Sequence, residues 1–139
     1  MLWDGDCGFC RYWVIRWQSI TGNIIDYRPY QEAAADFPDI DRELFREASR
    51  LIDLDGRVFS GPSSAYRSVY LAGKYRFLHQ WYLSDGAFRW LSDQAYEFIA
   101  QRRNLMFRLT KALFGSNPRD VKPFWVIYLA VIFYLLYSI

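Results

Sequence analysis

Asp4-Gly5-Asp6-Cys7-Gly8-Phe9-Cys10 is the stretch that decides how this chain of 139 residues is interpreted. It contains both cysteines of the sequence, and their spacing places the two thiols one turn apart if a helix begins at Cys7. A cysteine at a helix start lies among unpaired backbone N–H groups, which stabilise its thiolate. We therefore predict a redox-active dithiol in which Cys7 attacks a disulfide and Cys10 resolves the mixed disulfide.

The residues on either side of the motif predict its local fold. Leu2-Trp3 is typical of the end of a strand, and Asp4-Gly5 of a tight turn. After the cysteines, apolar residues recur at steps of about four and three, which indicates one face of an amphipathic helix. These residues are Phe9, Trp13, Trp17 and Ile20. A strand, a CxxC motif and a helix in this order are the arrangement of a thioredoxin-like redox centre.

The remaining pattern predicts an α/β fold, a thioredoxin-like mixed sheet flanked by helices. We expect a short strand over 24–27, a helix over 38–48, a hairpin over 51–59 and a helix from 61 to 73. The hairpin turns at Asp55-Gly56, where a two-residue turn needs positive φ at both positions. Residues 1–73 would form the core with the CxxC motif. Residues 74–115 would form a helical cap that completes the domain, and residues 116–122 a basic linker.

The C-terminal run is uncharged and apolar. It extends from Pro123 to Ile139 with Ser138 as its one small polar residue. As a helix it would be about 25 Å long, the short limit for spanning a bilayer. A buried helix of a soluble domain is the alternative, but such a helix normally keeps one polar face. We therefore predict a transmembrane helix over 123–139, with the lipid bilayer as a partner.

Charge divides unevenly along the chain. Residues 1–97 have a net charge of −3 and residues 98–139 a net charge of +5. Basic residues before a membrane helix favour the cytoplasmic side, and no signal peptide precedes Met1, so we expect a membrane protein whose redox domain faces the cytoplasm. The end at Ile139 would also fit a chain cut after the first of several spans. The basic residues of 98–139 are also compatible with a nucleic-acid partner. Nothing else in the sequence supports such a partner, and we expect none.

Three alternative interpretations of the motif remain. CxxC is half of a zinc site, but His79 is the one histidine and no third cysteine exists. A structural disulfide is unusual in a reducing compartment. Asp4-Gly5-Asp6 has the carboxylate pair of a phosphohydrolase that uses Mg²⁺, although Cys7-Gly8 occupies the place of the Thr or Val that such enzymes need. Apart from the cysteine pair, we expect no cofactor.

The motif resembles the signature of the DCC family of predicted thiol–disulfide oxidoreductases, which is named for DxxCxxC. Tyr96-x-x-Ile99-Ala100-x-x-Arg103 is similar to the second signature of that family, and the resemblance covers roughly residues 1–110. It implies a thioredoxin-like fold and a redox role for both cysteines. This chain departs from the family pattern at Trp3, where Tyr is usual. It also lacks the proline before Leu51 that many thioredoxin-like enzymes carry.

The resemblance adds further candidate site residues. Asp4 and Asp6 lie close to Cys7, and nearby carboxylates oppose the effect of the helix end on a thiol. Asp6 is a candidate proton relay. Arg103 is a candidate partner for Asp4 or Asp6, or alternatively a juxtamembrane surface charge, and Tyr96 is a second supporting candidate. We expect a thiol–disulfide oxidoreductase at the cytoplasmic face of a membrane, with a membrane-attached interaction or redox-sensing domain as the alternative and a zinc-binding module as a third possibility.

Overall fold

A four-stranded mixed sheet forms the centre of the fold in the computed structural model, which describes residues 1–138. The strands lie in the order β2-β1-β3-β4. They span Leu2–Trp3 (β1), Arg28–Pro29 (β2), Arg50–Ile52 (β3) and Val58–Ser60 (β4). Strand β1 pairs in parallel with β2 and antiparallel with β3, and β4 completes an antiparallel hairpin with β3. This order of elements is compatible with a thioredoxin-like fold.

Eight α-helices surround this sheet or follow it within the described residues. They are Gly8–Thr21 (α1), Tyr30–Ala33 (α2), Arg42–Glu47 (α3), Pro62–Leu71 (α4), Arg76–Ser84 (α5), Gly86–Gln101 (α6), Arg103–Phe114 (α7) and Phe124–Tyr137 (α8). Helix α4 packs on β3, β4 and α5, and α7 packs on α1. Between residues 74 and 115 the chain forms the three helices α5, α6 and α7, with breaks at Asp85 and Arg102.

The core lies in two clusters because successive residues of a strand point to opposite faces of the sheet. Met1 packs with Ile25 and Leu51 in one cluster, whereas Leu2 packs with Ala33 and Phe45 in the other. All six side chains are at least nine-tenths buried. The first two residues therefore pack on opposite faces of the sheet, and this packing fixes the position of β1 and of the turn that follows it.

Three expected elements differ in the structure. Residues 22–24 form a 3-10 helix, and the strand predicted over 24–27 lies instead at Arg28–Pro29, where it pairs with β1. The helix predicted over 38–48 is shorter, because the Asp41 side chain accepts the Glu43 N–H and caps it there. In the hairpin only Gly56 has positive φ, at +84°, so the loop is not the expected two-residue turn.

The predicted transmembrane helix is wrong. Helix α8 has 14 residues, which is about 21 Å against a hydrocarbon core of about 30 Å. Within residues 1–138 we find no helix whose length and apolar character would let it cross a bilayer. The helix begins after Pro123 and ends at Tyr137, with Ser138 as its C-cap. The bilayer partner that rested on this helix is not supported, and the expected cytoplasmic orientation and domain boundaries stay predictions.

His79, on α5, is the one buried histidine of the fold. It is 3% exposed and its ring lies against the rings of Phe59 and Tyr70. Burial lowers the pKa of His79, and the nearby Arg67 guanidinium lowers it further, whereas Asp53 acts in the opposite direction. The folded protein therefore binds a proton here less readily than the unfolded chain does.

Replacement of His79 by Phe should flatten the pH dependence of stability on the acid side. Below the ordinary histidine pKa of about 6.5 the unfolded chain gains a proton that the folded chain does not, so the free energy of unfolding falls as the pH is lowered. Urea unfolding at pH 7.5 and pH 5.5 measures this fall in both proteins. An equal fall in wild type and His79→Phe would contradict the assignment.

Candidate active site

Cys7 is the N-cap residue of α1. Its φ and ψ of −89° and 108° are extended, and the Cys10 N–H donates to Cys7 Sγ over 3.1 Å. The sulfur thus takes the place that a capping oxygen usually fills, and it receives one of the unpaired N–H groups of the first turn. The two residues are joined as a disulfide, with their Cα atoms 5.2 Å apart, and both are half-buried.

Asp4 shapes the turn that leads into the helix. Its backbone oxygen accepts the Cys7 N–H at 3.2 Å, and its Oδ1 accepts the Asp6 N–H at 3.2 Å. The turn also needs glycine at position 5, because a Cβ there would lie 3.0 Å from the Pro29 Cβ. Parallel pairing of β1 with β2 brings Pro29 to this position, so the sheet itself determines where the cysteines lie.

Arg103 connects this turn to two distant elements. Its Nη1 lies 3.3 Å from Asp4 Oδ2, in an ion pair whose side chains are 23% and 15% exposed respectively. Its Nη2 donates to the backbone oxygens of Arg46 at 3.0 Å and Glu47 at 2.6 Å, at the end of α3. A cation at a helix C-terminus satisfies carbonyl groups that have no partner within the helix. Of the two predicted carboxylate partners, the structure places Arg103 on Asp4.

Gln31 is a site residue that sequence reasoning missed. Its Nε2 donates to Asp4 Oδ1 at 2.9 Å and to Asp6 Oδ2 at 3.2 Å, while its Oε1 accepts the Gly5 N–H at 3.0 Å. One neutral amide therefore holds both carboxylates. Only its position in the sequence could have indicated this role. Gln31 comes shortly after β2, and the carboxyl ends of neighbouring parallel strands meet at one edge of a sheet.

Tyr96 lies near the site, but its hydroxyl bonds to Ser49 and not to Asp4 or Asp6. Its hydroxyl accepts the Ser49 N–H at 3.2 Å, and its ring would lie 3.4 Å from a Cβ at Gly61. Ser49 in turn shares a hydrogen bond of 3.0 Å between its hydroxyl and that of Ser64. Tyr96 thus anchors the segment between α3 and β3, whereas Arg103 anchors the end of α3 just before it.

An apolar groove of about 410 Å³ opens beside Cys10. Phe9, Trp13, Trp17 and Ile20, the predicted inner stripe of α1, line this groove together with residues of α4, α5 and α6. The fully buried residues of α1 are instead Tyr12, Val14 and Thr21. The predicted apolar face of α1 therefore exists, but it borders a groove rather than a closed core.

The described residues contain no group of three or more His, Cys, Asp or Glu side chains arranged to hold a metal ion. His79 packs against Phe59 and Tyr70, and the two cysteines bond to each other. A zinc site usually has four protein ligands, or three and a water molecule, in a tetrahedral arrangement. Nothing in residues 1–138 supplies that arrangement around Cys7 and Cys10.

Loss of Arg103 should destabilise the domain. Arg103→Ala leaves the largely buried Asp4 carboxylate without its counter-charge and removes the donors to α3, so we expect a loss of about 2–4 kcal/mol in the free energy of unfolding. Arg108→Ala, at an exposed position of the same helix, is the matched control and should change stability by about 0.5 kcal/mol or less. Urea denaturation of the oxidised proteins gives both values. Equal losses in the two variants would contradict the assigned role.

Comparison with protein families gives a match that covers most of the chain. The family model described as DCC1-like thiol-disulfide oxidoreductase matches residues 1–109. No curated protein and no solved structure matches the chain. The match includes both cysteines, the aspartates before them, Gln31, Tyr96 and Arg103, and it ends within α7. Because it covers more than half of the chain, this protein belongs to the DCC1-like thiol-disulfide oxidoreductase family and is an oxidoreductase.

Proposed function

We propose that this protein exchanges electrons between its Cys7–Cys10 dithiol and a substrate disulfide. The observation that supports this most strongly is the sulfur of Cys7 at the N-cap of α1, where it accepts the Cys10 N–H. Donors and the helix dipole at this position favour a negative charge on the reduced sulfur. Cys10, one turn further and within bonding distance, is suited to the second step.

The proposed reaction has two balanced exchanges. The Cys7 thiolate attacks one sulfur of the substrate disulfide, which forms a Cys7–substrate disulfide and releases the other half as a thiolate. Cys10 then loses its proton and attacks the Cys7 sulfur, which releases the second substrate thiolate and forms the Cys7–Cys10 disulfide. The protein gives up two electrons. The proton that Cys10 loses, and the one that Cys7 released when it formed its thiolate, protonate the two substrate thiolates. The reverse sequence oxidises a dithiol substrate.

The polar residues around the turn have distinct proposed roles. Arg103 and Gln31 hold the Asp4 carboxylate, and the positive charge of Arg103 offsets the repulsion that Asp4 would exert on a thiolate. Asp6 is exposed and its carboxylate is held by the neutral Gln31 amide. We assign Asp6 the role of proton relay for the thiol pair, and Tyr96 that of anchoring the adjoining segment.

Single cysteine variants test the assigned roles. Cys10→Ser should accumulate stable mixed disulfides through Cys7, because the attacking thiol remains and the resolving thiol is gone. Cys7→Ser should accumulate few, since Cys10 lies one turn inside the helix, away from its N-cap. Incubation with a disulfide such as oxidised glutathione, followed by mass spectrometry of the intact protein, measures the adducts.

The double variant Cys7→Ser/Cys10→Ser is the matched control and should form no adduct. Similar amounts of adduct in the two single variants would overturn the assignment of attacking and resolving cysteines. Absence of adduct in every variant would instead favour the second candidate, an interaction or redox-sensing domain. That candidate is supported by exposed aromatic side chains on α5 and α6, with Trp81 53% exposed and Trp90 65% exposed.

A further inference from the structure

The apolar groove beside Cys10 continues directly from the redox pair. Cys10 contributes to its lining, together with Phe9 and Trp13 of α1 and Ile99 and Ala100 of α6. Asp4 and Arg103 also border it, so the groove runs from the turn of the CxxC motif into a space enclosed by aromatic and aliphatic side chains. A molecule lying in this groove would therefore contact Cys10, one partner of the redox pair.

The size and the lining of the groove suit a small apolar group. Its volume of about 410 Å³ falls within the range of about 300–1,000 Å³ that is usual for small-molecule sites. Such sites are mostly apolar with a few polar groups that fix orientation, and here the Asp4–Arg103 ion pair beside the CxxC turn belongs to the lining. An apolar substituent would fill the groove while the sulfur atoms to be exchanged lie beside that ion pair.

Several backbone groups beside the groove, which an extended peptide would need as partners, are already hydrogen-bonded. One common mode of peptide binding adds a strand to an exposed sheet edge through main-chain hydrogen bonds. In the segment that leads into β3, Arg103 occupies the oxygens of Arg46 and Glu47, and the Tyr96 hydroxyl occupies the N–H of Ser49. The Ser49 oxygen accepts the Gly61 N–H. Side-chain contacts within the groove, rather than strand addition, therefore have to provide recognition.

From these observations we infer that the substrate is a low-molecular-weight disulfide, or the corresponding thiol, with a bulky apolar group close to its sulfur. This inference rests on the proposed exchange reaction and names its substrate class. The Cys7 thiolate attacks the sulfur that bears the apolar group and releases the other half as a thiolate. Cys10, which lines the groove, then loses its proton, attacks the Cys7 sulfur and releases the apolar thiolate. The substrate thereby takes up two electrons, and its two thiolates are protonated by the proton from Cys10 and by the one that Cys7 released on ionisation.

Two probes that differ only in the apolar group test the inference. One is the mixed disulfide of 2-phenylethanethiol with 2-mercaptoethanesulfonate, and the other replaces the phenylethyl group by ethyl. The reduced protein is mixed with an excess of each probe, quenched with acid, and assayed by mass spectrometry for formation of the Cys7–Cys10 disulfide. Each rate is divided by the rate of the same probe with dithiothreitol, which corrects for intrinsic reactivity. We expect the phenylethyl probe to be favoured at least about tenfold.

Two leucine substitutions on α6 test whether the preference for the phenylethyl probe arises in the groove. Ala100 lines it, so Ala100→Leu should reduce the ratio of the two corrected rates at least about threefold. Ala95 is exposed on the same helix, and Ala95→Leu should leave the ratio as in wild type. The thioether analogue of the phenylethyl probe cannot exchange, so it measures binding to the groove separately from the reaction. It should quench the fluorescence of the groove tryptophans in wild type and bind more weakly to Ala100→Leu.

The outcomes separate this inference from the proposed function. If the ethyl probe oxidises the protein and the corrected ratio is close to one, the exchange reaction stands and the groove is not the substrate site. If neither probe oxidises the cysteines, the proposed function fails and the substrate class fails with it. An equal loss of preference in Ala95→Leu and Ala100→Leu would also overturn the inference, because the effect would not depend on the groove.

Discussion

The carboxylate of Asp4 is the group on which the geometry of the redox site depends. It accepts the Asp6 N–H within the turn, receives the Gln31 amide from the end of β2, and forms an ion pair with Arg103 of α7. These contacts join residues that are 27 and 99 positions away along the chain. Because the backbone oxygen of Asp4 also accepts the Cys7 N–H, these side-chain contacts hold the turn that the pairing of β1 with β2 places before the cysteines.

Arg103 explains why a helix beyond the sheet is part of the redox domain. It binds the turn before Cys7 and the end of α3 with one guanidinium group, and its planar set of donors allows both contacts at once. Tyr96, two turns earlier in the chain, holds the neighbouring segment through Ser49. The two residues thus hold the segment facing the groove while α6 forms a wall of that groove. Helices α6 and α7 therefore contribute contacts to the candidate site as well as one wall of the groove.

The sequence was sufficient to predict the helix start at Cys7 and the pairing of Arg103 with an aspartate. It was not sufficient to predict the contact that Gln31 makes from another strand's end. The helix start at Cys7 was predictable because spacing, turn residues and apolar periodicity agreed, and the pairing of Arg103 with an aspartate followed from the family resemblance. Gln31 was not predictable, since a lone glutamine carries no pattern and gains its role only when β1 and β2 pair. The error at the C-terminus had another origin. Composition measured the apolar character of residues 123–139, whereas the helix that forms is 14 residues long.

A titration in dithiothreitol buffers shows whether Cys7 and Cys10 form a reversible redox couple. The fraction of protein in the disulfide form, trapped by rapid alkylation and counted by mass spectrometry, is measured against the potential of the buffer. We expect one reversible two-electron transition, in which a tenfold change in the ratio of the two forms takes about 30 mV. Failure to form the Cys7–Cys10 disulfide at any potential would contradict it.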